Sequence, residues 1–247
     1  GFAGDGGQAS AALISRPAGL AIDTAGNLYV SERNLYHIRK ITPGGVVSTF
    51  AGSGNMGDFD NVGDGVQKEF TNLFEPRGVL VTPNGDMYVA ESYRNAVRKI
   101  ANGTATTLYT GNDISIANQL ITDGVGNLYI SHRRGISKMP LGGGTPVMIV
   151  GNGYTSGIYP DNVAATSTPV NMAGQMGFDA AGNLYYTDMY FHTVRKVTPG
   201  GTVTTVAGVA NGPGNDGDGG PATSAHLSYP HALYVEADGS FIVGDSN

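Results

Sequence analysis

The stretch Pro17–Gly52, PAGLAIDTAGNLYVSERNLYHIRKITPGGVVSTFAG, decides the fold of this chain. Short runs rich in Val, Ile, Tyr and Thr alternate with turns that contain glycine or proline, which is typical of strands joined by tight hairpins. The pattern predicts four consecutive antiparallel strands, called A to D in chain order. Their predicted bounds are Gly19–Asp23, Asn27–Glu32, His37–Thr42 and Val46–Ala51.

The same pattern recurs along the chain. Further copies occupy Pro76–Gly111, Asn118–Gly151 and Met172–Gly208, and a fifth begins at Pro230. The glycine between strands A and B recurs at intervals of 59, 41, 56 and 57 residues. One four-stranded sheet cannot bury both of its faces, whereas radial stacking of such sheets can. We therefore predict an all-β fold, a β-propeller of four-stranded antiparallel blades, with a linear β-solenoid as the alternative.

Several motifs of the repeat resemble those of bacterial NHL-repeat proteins: GNLYV at 26–30, IRKITPGG at 38–45 and the GDGG loops at 4–7 and 217–220. The resemblance covers essentially the whole chain and implies a ring that commonly has six blades. Residues 1–247 are then expected to form a single domain of four full blades and half of a fifth, incomplete at one or both ends. The family includes protein-binding and RNA-binding modules, lyases and hydrolases, so the repeat says little about activity.

Composition narrows the class of protein. Glycine accounts for 39 of the 247 residues, roughly twice the average share of about 7%, which suits many tight turns. The net charge is −6, and most nucleic-acid binders carry a basic footprint, so no nucleic-acid partner is expected. No uncharged apolar run is long enough to span a membrane. The absence of cysteine excludes disulfides and thiolate metal sites.

Three features that recur once per copy are interpreted as structural. The strand C arginine is expected to pair with the acid that ends strand B, and a ring of basic residues that binds polyanions is the alternative. The third copy has lost both partners. The loop aspartates are expected to hydrogen-bond their own backbone, and the strand B tyrosines to pack between blades. The residues concerned are the pairs Arg39 and Glu32, Arg98 and Glu91, and Arg195 and Asp188; the replacements Ser137 and His132; the loop residues Asp5, Asp64 and Asp218; and the tyrosines Tyr29, Tyr88, Tyr129 and Tyr185.

Arg77 and His231 are the candidate ligand-binding residues. Each follows the proline at the start of strand A, at a position where two other copies are expected to have Ala18 and Ala173. Strand A is innermost in a propeller, so its first residues are expected to face the mouth of the central channel. A guanidinium and an imidazole there would give the mouth a cationic, pH-sensitive character.

No catalytic residue, metal site or cofactor is predicted. Only His231 among the five histidines lies at a predicted channel entrance, and a catalytic zinc needs about three converging ligands. The sequence favours a non-catalytic binding or scaffold propeller that recognises a protein or glycan. The resemblance implies an exported bacterial protein, whether periplasmic, cell-surface or extracellular. The alternative is a metal-dependent lyase or lactonase-like enzyme with its site in the central channel.

Overall fold

A computed structural model describes residues 3–56 and 63–246. The regular structure in these residues consists of β-strands and three-residue 3-10 turns. By their internal contacts they form two compact units, 1–120 with 142–144 and 121–141 with 145–247. No helix in the described ranges is long and apolar enough to cross a membrane.

The first unit contains two four-stranded antiparallel sheets, blades I and II, in which neighbouring strands follow chain order. Blade I consists of β1 (Pro17–Ile22), β2 (Leu28–Glu32), β3 (His37–Ile41) and β4 (Val47–Ala51). Blade II consists of β5 (Pro76–Val81), β6 (Met87–Glu91), β7 (Ala96–Ala101) and β8 (Thr104–Thr110). The 3-10 turns of this unit are Ala9–Ala11, Lys68–Phe70 and Asn112–Ile114. Every predicted strand of blade I is confirmed, with small differences at the ends.

Three further sheets follow, and all of their residues except Leu120 belong to the second unit. Blade III consists of β9 (Leu120–Thr122), β10 (Asn127–His132), β11 (Gly135–Pro140) and β12 (Val147–Val150). Blade IV consists of β13 (Val163–Ala164), β14 (Ala173–Phe178), β15 (Leu184–Asp188), β16 (Thr193–Val197) and β17 (Thr202–Ala207), and blade V of β18 (Ala232–Val235) and β19 (Phe241–Gly244). The 3-10 turns here are Ala165–Ser167 and Ala222–Ser224.

The turn between strands A and B is fixed by one aspartate. In blade I, Asp23 Oδ1 accepts the amides of Ala25 and Asn27 at 3.0 and 2.8 Å. Its Oδ2 accepts the Asn27 side chain at 2.8 Å and the Tyr29 hydroxyl at 3.0 Å. Gly26 takes φ 79°, a conformation that glycine adopts without strain. The GNLY motif is therefore a turn whose side chains brace one another.

The cores lie between neighbouring blades. In the first unit, Tyr29 and Ile38 of blade I are buried against Val79, Met87 and Val89 of blade II. In the second unit the corresponding tyrosines are buried in the same way, Tyr129 with Met176 and Tyr185 with Leu233. The prediction that the strand B tyrosines pack between blades is confirmed for these three.

A loop ahead of strand A returns to cover strand D of the same blade. We call these segments the edge loops, residues 4–9, 63–68 and 161–165. In blade I, the Gly6 amide donates to Val47 at 2.8 Å and the Val47 amide donates to Gly7 at 3.0 Å. In blade IV the edge loop contains β13, which pairs with β17. The unpaired side of strand D would otherwise be open to association with other strands.

Candidate functional site

Five equivalent residues just ahead of strand A adopt the left-handed conformation although none is glycine. We call them the entrance residues. They are Arg16, Glu75, Ile116, Met172 and Tyr229, with φ between 48° and 70°. This conformation costs a non-glycine residue about 1–2 kcal/mol, so it persists only where neighbouring contacts hold it.

The acid at the end of strand B holds the turn that contains the entrance residue. In four blades it accepts a hydrogen bond from the amide directly before that residue. These bonds are Ser15 N to Glu32 Oε1 at 2.8 Å, Phe74 N to Glu91 Oε1 at 3.3 Å, Asn171 N to Asp188 Oδ1 at 3.2 Å and Ser228 N to Asp245 Oδ1 at 2.7 Å. The acid thus sets where the chain begins strand A, a role that the repeat pattern did not indicate.

The strand C arginine completes this arrangement from the outer side. In blade II, Arg98 and Glu91 are both fully buried, and Arg98 Nη1 lies 3.6 Å from Glu91 Oε1. Arg98 Nη2 is 2.8 Å from Asp64 Oδ1 in the edge loop and donates to Thr71 Oγ1 at 2.9 Å. One guanidinium is therefore shared by two carboxylates. The predicted pairing is confirmed here, and both of its members are buried.

The equivalent arginines in blades I and IV also reach an edge-loop aspartate. Arg39 pairs with Asp5 and with Glu32, whose Oε2 lies 3.4 Å from its Nη1. Arg195 Nη2 donates to Asp161 Oδ1 at 2.9 Å. The prediction that Asp5 and Asp64 serve their own loop backbone is wrong, because each binds a guanidinium of strand C instead.

Blade III lacks all three members of this arrangement together. His132 and Ser137, both buried, occupy the acid and arginine positions, and their side chains lie 3.0 Å apart, His132 Nε2 to Ser137 Oγ. This blade follows the shortest interval in the repeat, which leaves no room for an edge loop. The joint loss supports a structural role for the set.

Burial makes two of these acids hard to ionise. It raises the pKa of Glu91 to about 7, against the opposing attraction of Arg98. Burial also raises the pKa of Asp188 to about 7, although Tyr159 donates to its Oδ2 at 3.1 Å. Both groups therefore titrate near neutral pH while remaining inaccessible to a ligand.

The predicted ligand-binding residues Arg77 and His231 occupy equivalent positions in blades II and V. Ser31 Oγ donates to the Arg77 carbonyl at 2.6 Å, and Thr187 Oγ1 lies 3.4 Å from the His231 carbonyl. The sequence-based alignment of Ala173 with Ala18 is wrong by one residue. Ala173 pairs with Asp188 as Pro17 pairs with Glu32, so Gly174, not Ala173, holds the variable position.

Two residues before Arg77, Glu75 forms an ion pair with Arg33 in the first unit. Arg33 donates to Glu75 Oε2 through Nε at 3.2 Å and Nη2 at 2.8 Å, and Ser92 Oγ donates to the same oxygen at 3.1 Å. Burial lowers the pKa of Arg77, as does Arg33, while Glu75 opposes them. Arg77 Nε is buried and has no acceptor among the described residues.

An aromatic cluster of the second unit includes Tyr229, two residues before His231. The rings of Tyr190 and Tyr229 meet edge to face at 5.5 Å, and both side chains are substantially exposed, 52% and 39%. His192 Nδ1 accepts the Tyr229 amide at 3.1 Å, and burial lowers the pKa of His192. A neutral imidazole suits this acceptor role, so His192 fixes the backbone of the entrance residue Tyr229.

The chemistry of these groups is that of recognition. Guanidinium, imidazole and phenol groups can bind carboxylates, hydroxyls and apolar sugar faces. Within residues 3–56 and 63–246, no three His, Asp or Glu side chains are grouped as metal ligands would be.

Sequence reasoning missed Arg33, Glu75, Tyr190 and Tyr229 as members of these clusters. They lie in the loops between strands B and C or at the entrance positions. The motif repeats in neither place, so no periodic signal marked them. An unusual residue at a recurring loop position, such as Tyr190, was the only available hint.

Comparison with solved structures identifies the fold. An auxiliary nutrient binding protein from Bacteroides ovatus superposes with a TM-score of 0.72 at 20% identity, covering 94% of this chain and 57% of that one. The fold is a β-propeller. Virginiamycin B lyase from Staphylococcus aureus gives 0.60 at 13% identity, over 93% of this chain and 63% of that one. A chain of a nidogen/laminin complex gives 0.64 at 16% identity, over 94% and 72%. At these identities the likeness extends to the fold alone.

Sequence comparison adds little about family. No family model matches the chain. Teneurin-4 from Homo sapiens is 25% identical over 257 residues, which is 98% of this chain and 8% of the teneurin. Teneurin-3 from Mus musculus is 26% identical over 92% of this chain. The chain thus spans a tenth or less of the length of these curated relatives.

Proposed function

We propose that this chain is the ligand-binding β-propeller of an exported bacterial protein of the NHL-repeat type, and that residues 1–247 belong to one propeller domain. It acts without catalysis, and it recognises a protein or glycan. Arg77 in the first unit and His231 in the second are its candidate ligand-binding residues. Two proteins of similar fold, a nutrient binding protein and a chain of a nidogen/laminin complex, agree with a binding role for such folds.

One observation supports the proposal above the others. Four of the five entrance residues follow an amide that donates to the acid at the end of strand B, while exposed or half-buried side chains beside them differ from blade to blade. A constant scaffold with variable side chains at one recurring position is the arrangement expected of a binding surface.

The test measures binding of the purified protein to arrays of immobilised glycans and peptides. We expect at least one ligand to bind, and His231→Ala to weaken it by about tenfold or more, as loss of a central polar contact does. His226→Ala is the matched control, because His226 pairs with Asp216 in a surface loop. No binding to either array, or equal binding by both variants, would refute the proposal.

Metal analysis separates this function from its alternative, a metal-dependent lyase or lactonase-like enzyme. Stoichiometric transition metal in the wild-type protein, lost in His231→Ala and retained in His226→Ala, would establish the enzyme alternative. The binding proposal predicts that the metal content of the three proteins is the same and substoichiometric.

A further inference from the structure

A cavity of about 390 Å³ lies between blades III and IV of the second unit. This volume is within the range of small-molecule sites, about 300–1,000 Å³. Neither Arg77 nor His231 is among the described residues that line it, so it is separate from the candidate ligand-binding residues. Apolar and aromatic side chains form much of its wall, among them Tyr129, Met148, Ile149, Phe178 and Val197.

The first unit shows how side chains fill the corresponding position between blades I and II. The ring of Phe50, in strand D of blade I, meets the strand B tyrosine Tyr29 edge to face, with 4.9 Å between ring centres. Lys68, in the edge loop of blade II, places its Nζ 4.7 Å from the centre of the Phe50 ring. An aromatic ring and an ammonium group therefore lie together beside the strand B tyrosine.

Blade III has Ile149 where blade I has Phe50. Each lies in strand D, directly before the residue that pairs with an equivalent isoleucine of strand C, Ile136 or Ile38. The isoleucine side chain is shorter than that of phenylalanine and carries no ring. One of the two groups that fill the position in the first unit is thus missing here.

The second group is missing as well, because blade IV has Ala165 where blade II has Lys68. The carbonyl of each accepts, at 2.9 Å, the amide of the glycine directly after strand D of the preceding blade, Gly151 or Gly52. The two replacements together remove a phenyl ring and the long chain of a lysine. This loss of volume at two adjoining positions accounts for the cavity.

The strand B tyrosine of blade III keeps one aromatic partner, but that partner comes from another strand. The ring of Phe178, in β14, meets Tyr129 edge to face with 5.1 Å between ring centres. Both rings line the cavity. Aromatic rings attract one another in edge-to-face and offset arrangements, so a third ring in the position of Phe50 would gain contacts with both.

The charge of the cavity comes from one lysine. Among the described residues that line the cavity, Lys138 alone is charged, and its side chain is 37% exposed. Its Nζ lies 5.2 Å from the centre of the Tyr129 ring and 3.8 Å from Asp123 Oδ2, which is beyond hydrogen-bond distance. That oxygen already accepts the Asn127 side chain at 2.6 Å. The ammonium group can therefore donate to an anion at the solvent side of the cavity, where desolvation costs little.

We propose that this cavity binds a small aromatic carboxylate. The aromatic ring occupies the position that Phe50 takes in blade I, against Tyr129 and Phe178, and the carboxylate accepts a hydrogen bond from Lys138. The inference goes beyond the recognition of a protein or glycan and does not depend on it.

The experiment titrates the full chain with sodium 3-phenylpropionate, 3-phenylpropan-1-ol and sodium 3-cyclohexylpropionate, with binding followed by calorimetry and by NMR of the ligands. Phenylpropionate should bind about tenfold more tightly than the alcohol, because only the carboxylate forms a charge-assisted hydrogen bond with the lysine. It should bind about threefold or more tightly than the cyclohexyl compound, because a saturated ring has no edge-to-face attraction to other rings.

Two variants locate the site, each with a matched control. Ile149→Phe fills the cavity with the ring found in blade I and should abolish binding; Val147→Phe adds the same ring at an exposed position of the same strand and should not affect it. Lys138→Gln should reduce the affinity for phenylpropionate to that for the alcohol. Lys196→Gln is its control, because Lys196 lies over Tyr185 at 5.3 Å in blade IV but does not line the cavity.

The contrary results are equally definite. No binding of phenylpropionate, or equal binding of the acid and the alcohol, would overturn the proposal of a carboxylate site. Equal binding of the phenyl and cyclohexyl acids would overturn the role of the aromatic ring. Undiminished binding by Ile149→Phe would show that the ligand lies elsewhere. Should Ile149→Phe fail to fold, the comparison of the three ligands on the wild-type protein and on Lys138→Gln still decides the question.

Discussion

Replacing Arg98 by Ala tests whether the buried charge cluster of blade II stabilises the fold. The change removes contacts to Asp64 at 2.8 Å, Thr71 at 2.9 Å and the Asn72 carbonyl at 3.2 Å, as well as the pairing with Glu91 at 3.6 Å. Glu91 is then left buried without its paired arginine.

The magnitude follows from that burial. Breaking one side of a buried ion pair typically costs about 3–5 kcal/mol. Glu91, whose pKa is already raised to about 7, can take up a proton and avoid part of that cost. We therefore expect a loss at the lower end, about 3 kcal/mol at pH 7.

The measurement is urea unfolding followed by circular dichroism, with Lys99→Ala as the control. Lys99 is the next residue and pairs with Asp86 at 2.7 Å, but both side chains reach solvent, so its loss should cost about 0–1 kcal/mol. A cycle of Arg98→Ala and Asp64→Ala should also show a coupling of about 1 kcal/mol or more. Equal losses for the Arg98 and Lys99 variants would refute the assignment of a stabilising buried cluster.

Two further predictions concern the strand B acid of blade II, Glu91, and the residue that replaces the arginine in blade III, Ser137. Glu91→Gln should remove part of the pH dependence of stability. Because the pKa of Glu91 is raised in the folded protein, this residue contributes stability that is fully present below about pH 4.5 and is lost as the pH rises through about 7. The unfolding free energy of the wild type minus that of the variant should therefore fall by about 3 kcal/mol across this window. A difference that does not depend on pH would contradict this prediction. Ser137→Arg should destabilise the protein by about 3 kcal/mol or more in thermal unfolding, because blade III has neither a strand B acid nor an edge loop to pair with the buried charge. An unchanged melting temperature would contradict this, since it would show that the position tolerates an unpaired arginine.

The strands of this protein could be predicted from sequence because local signals mark both their ends. Strand A ends at an aspartate whose side chain binds Asn27 and Tyr29, and all of these residues lie within a seven-residue motif. The pairing of Arg98 with Glu91 was equally accessible, since the two occupy facing strands seven residues apart and vanish together in blade III.

The edge-loop partners could not be predicted in the same way. Asp5 and Arg39 are 34 residues apart and meet only because the loop returns to strand D, a path that no turn motif announces. In blade IV the aspartate stands in the sequence PDN rather than GDG, so even a pattern search passes over Asp161. Arg33 and Glu75 are likewise 42 residues apart and belong to different blades.

The contact between each edge loop and strand D of its blade also determines which segments of this protein can be exchanged in chimeras. The sequence repeat suggests grafting segments that run from strand A to strand D. A segment excised in that way would carry Arg98 but leave Asp64 behind, and the recipient would inherit a buried cation without its carboxylate. The exchangeable piece instead runs from the loop aspartate to the glycine after strand D, Asp5–Gly52 or Asp64–Gly111. Chimeras joined directly after that glycine should fold, whereas chimeras joined directly before strand A would separate each arginine from its partner.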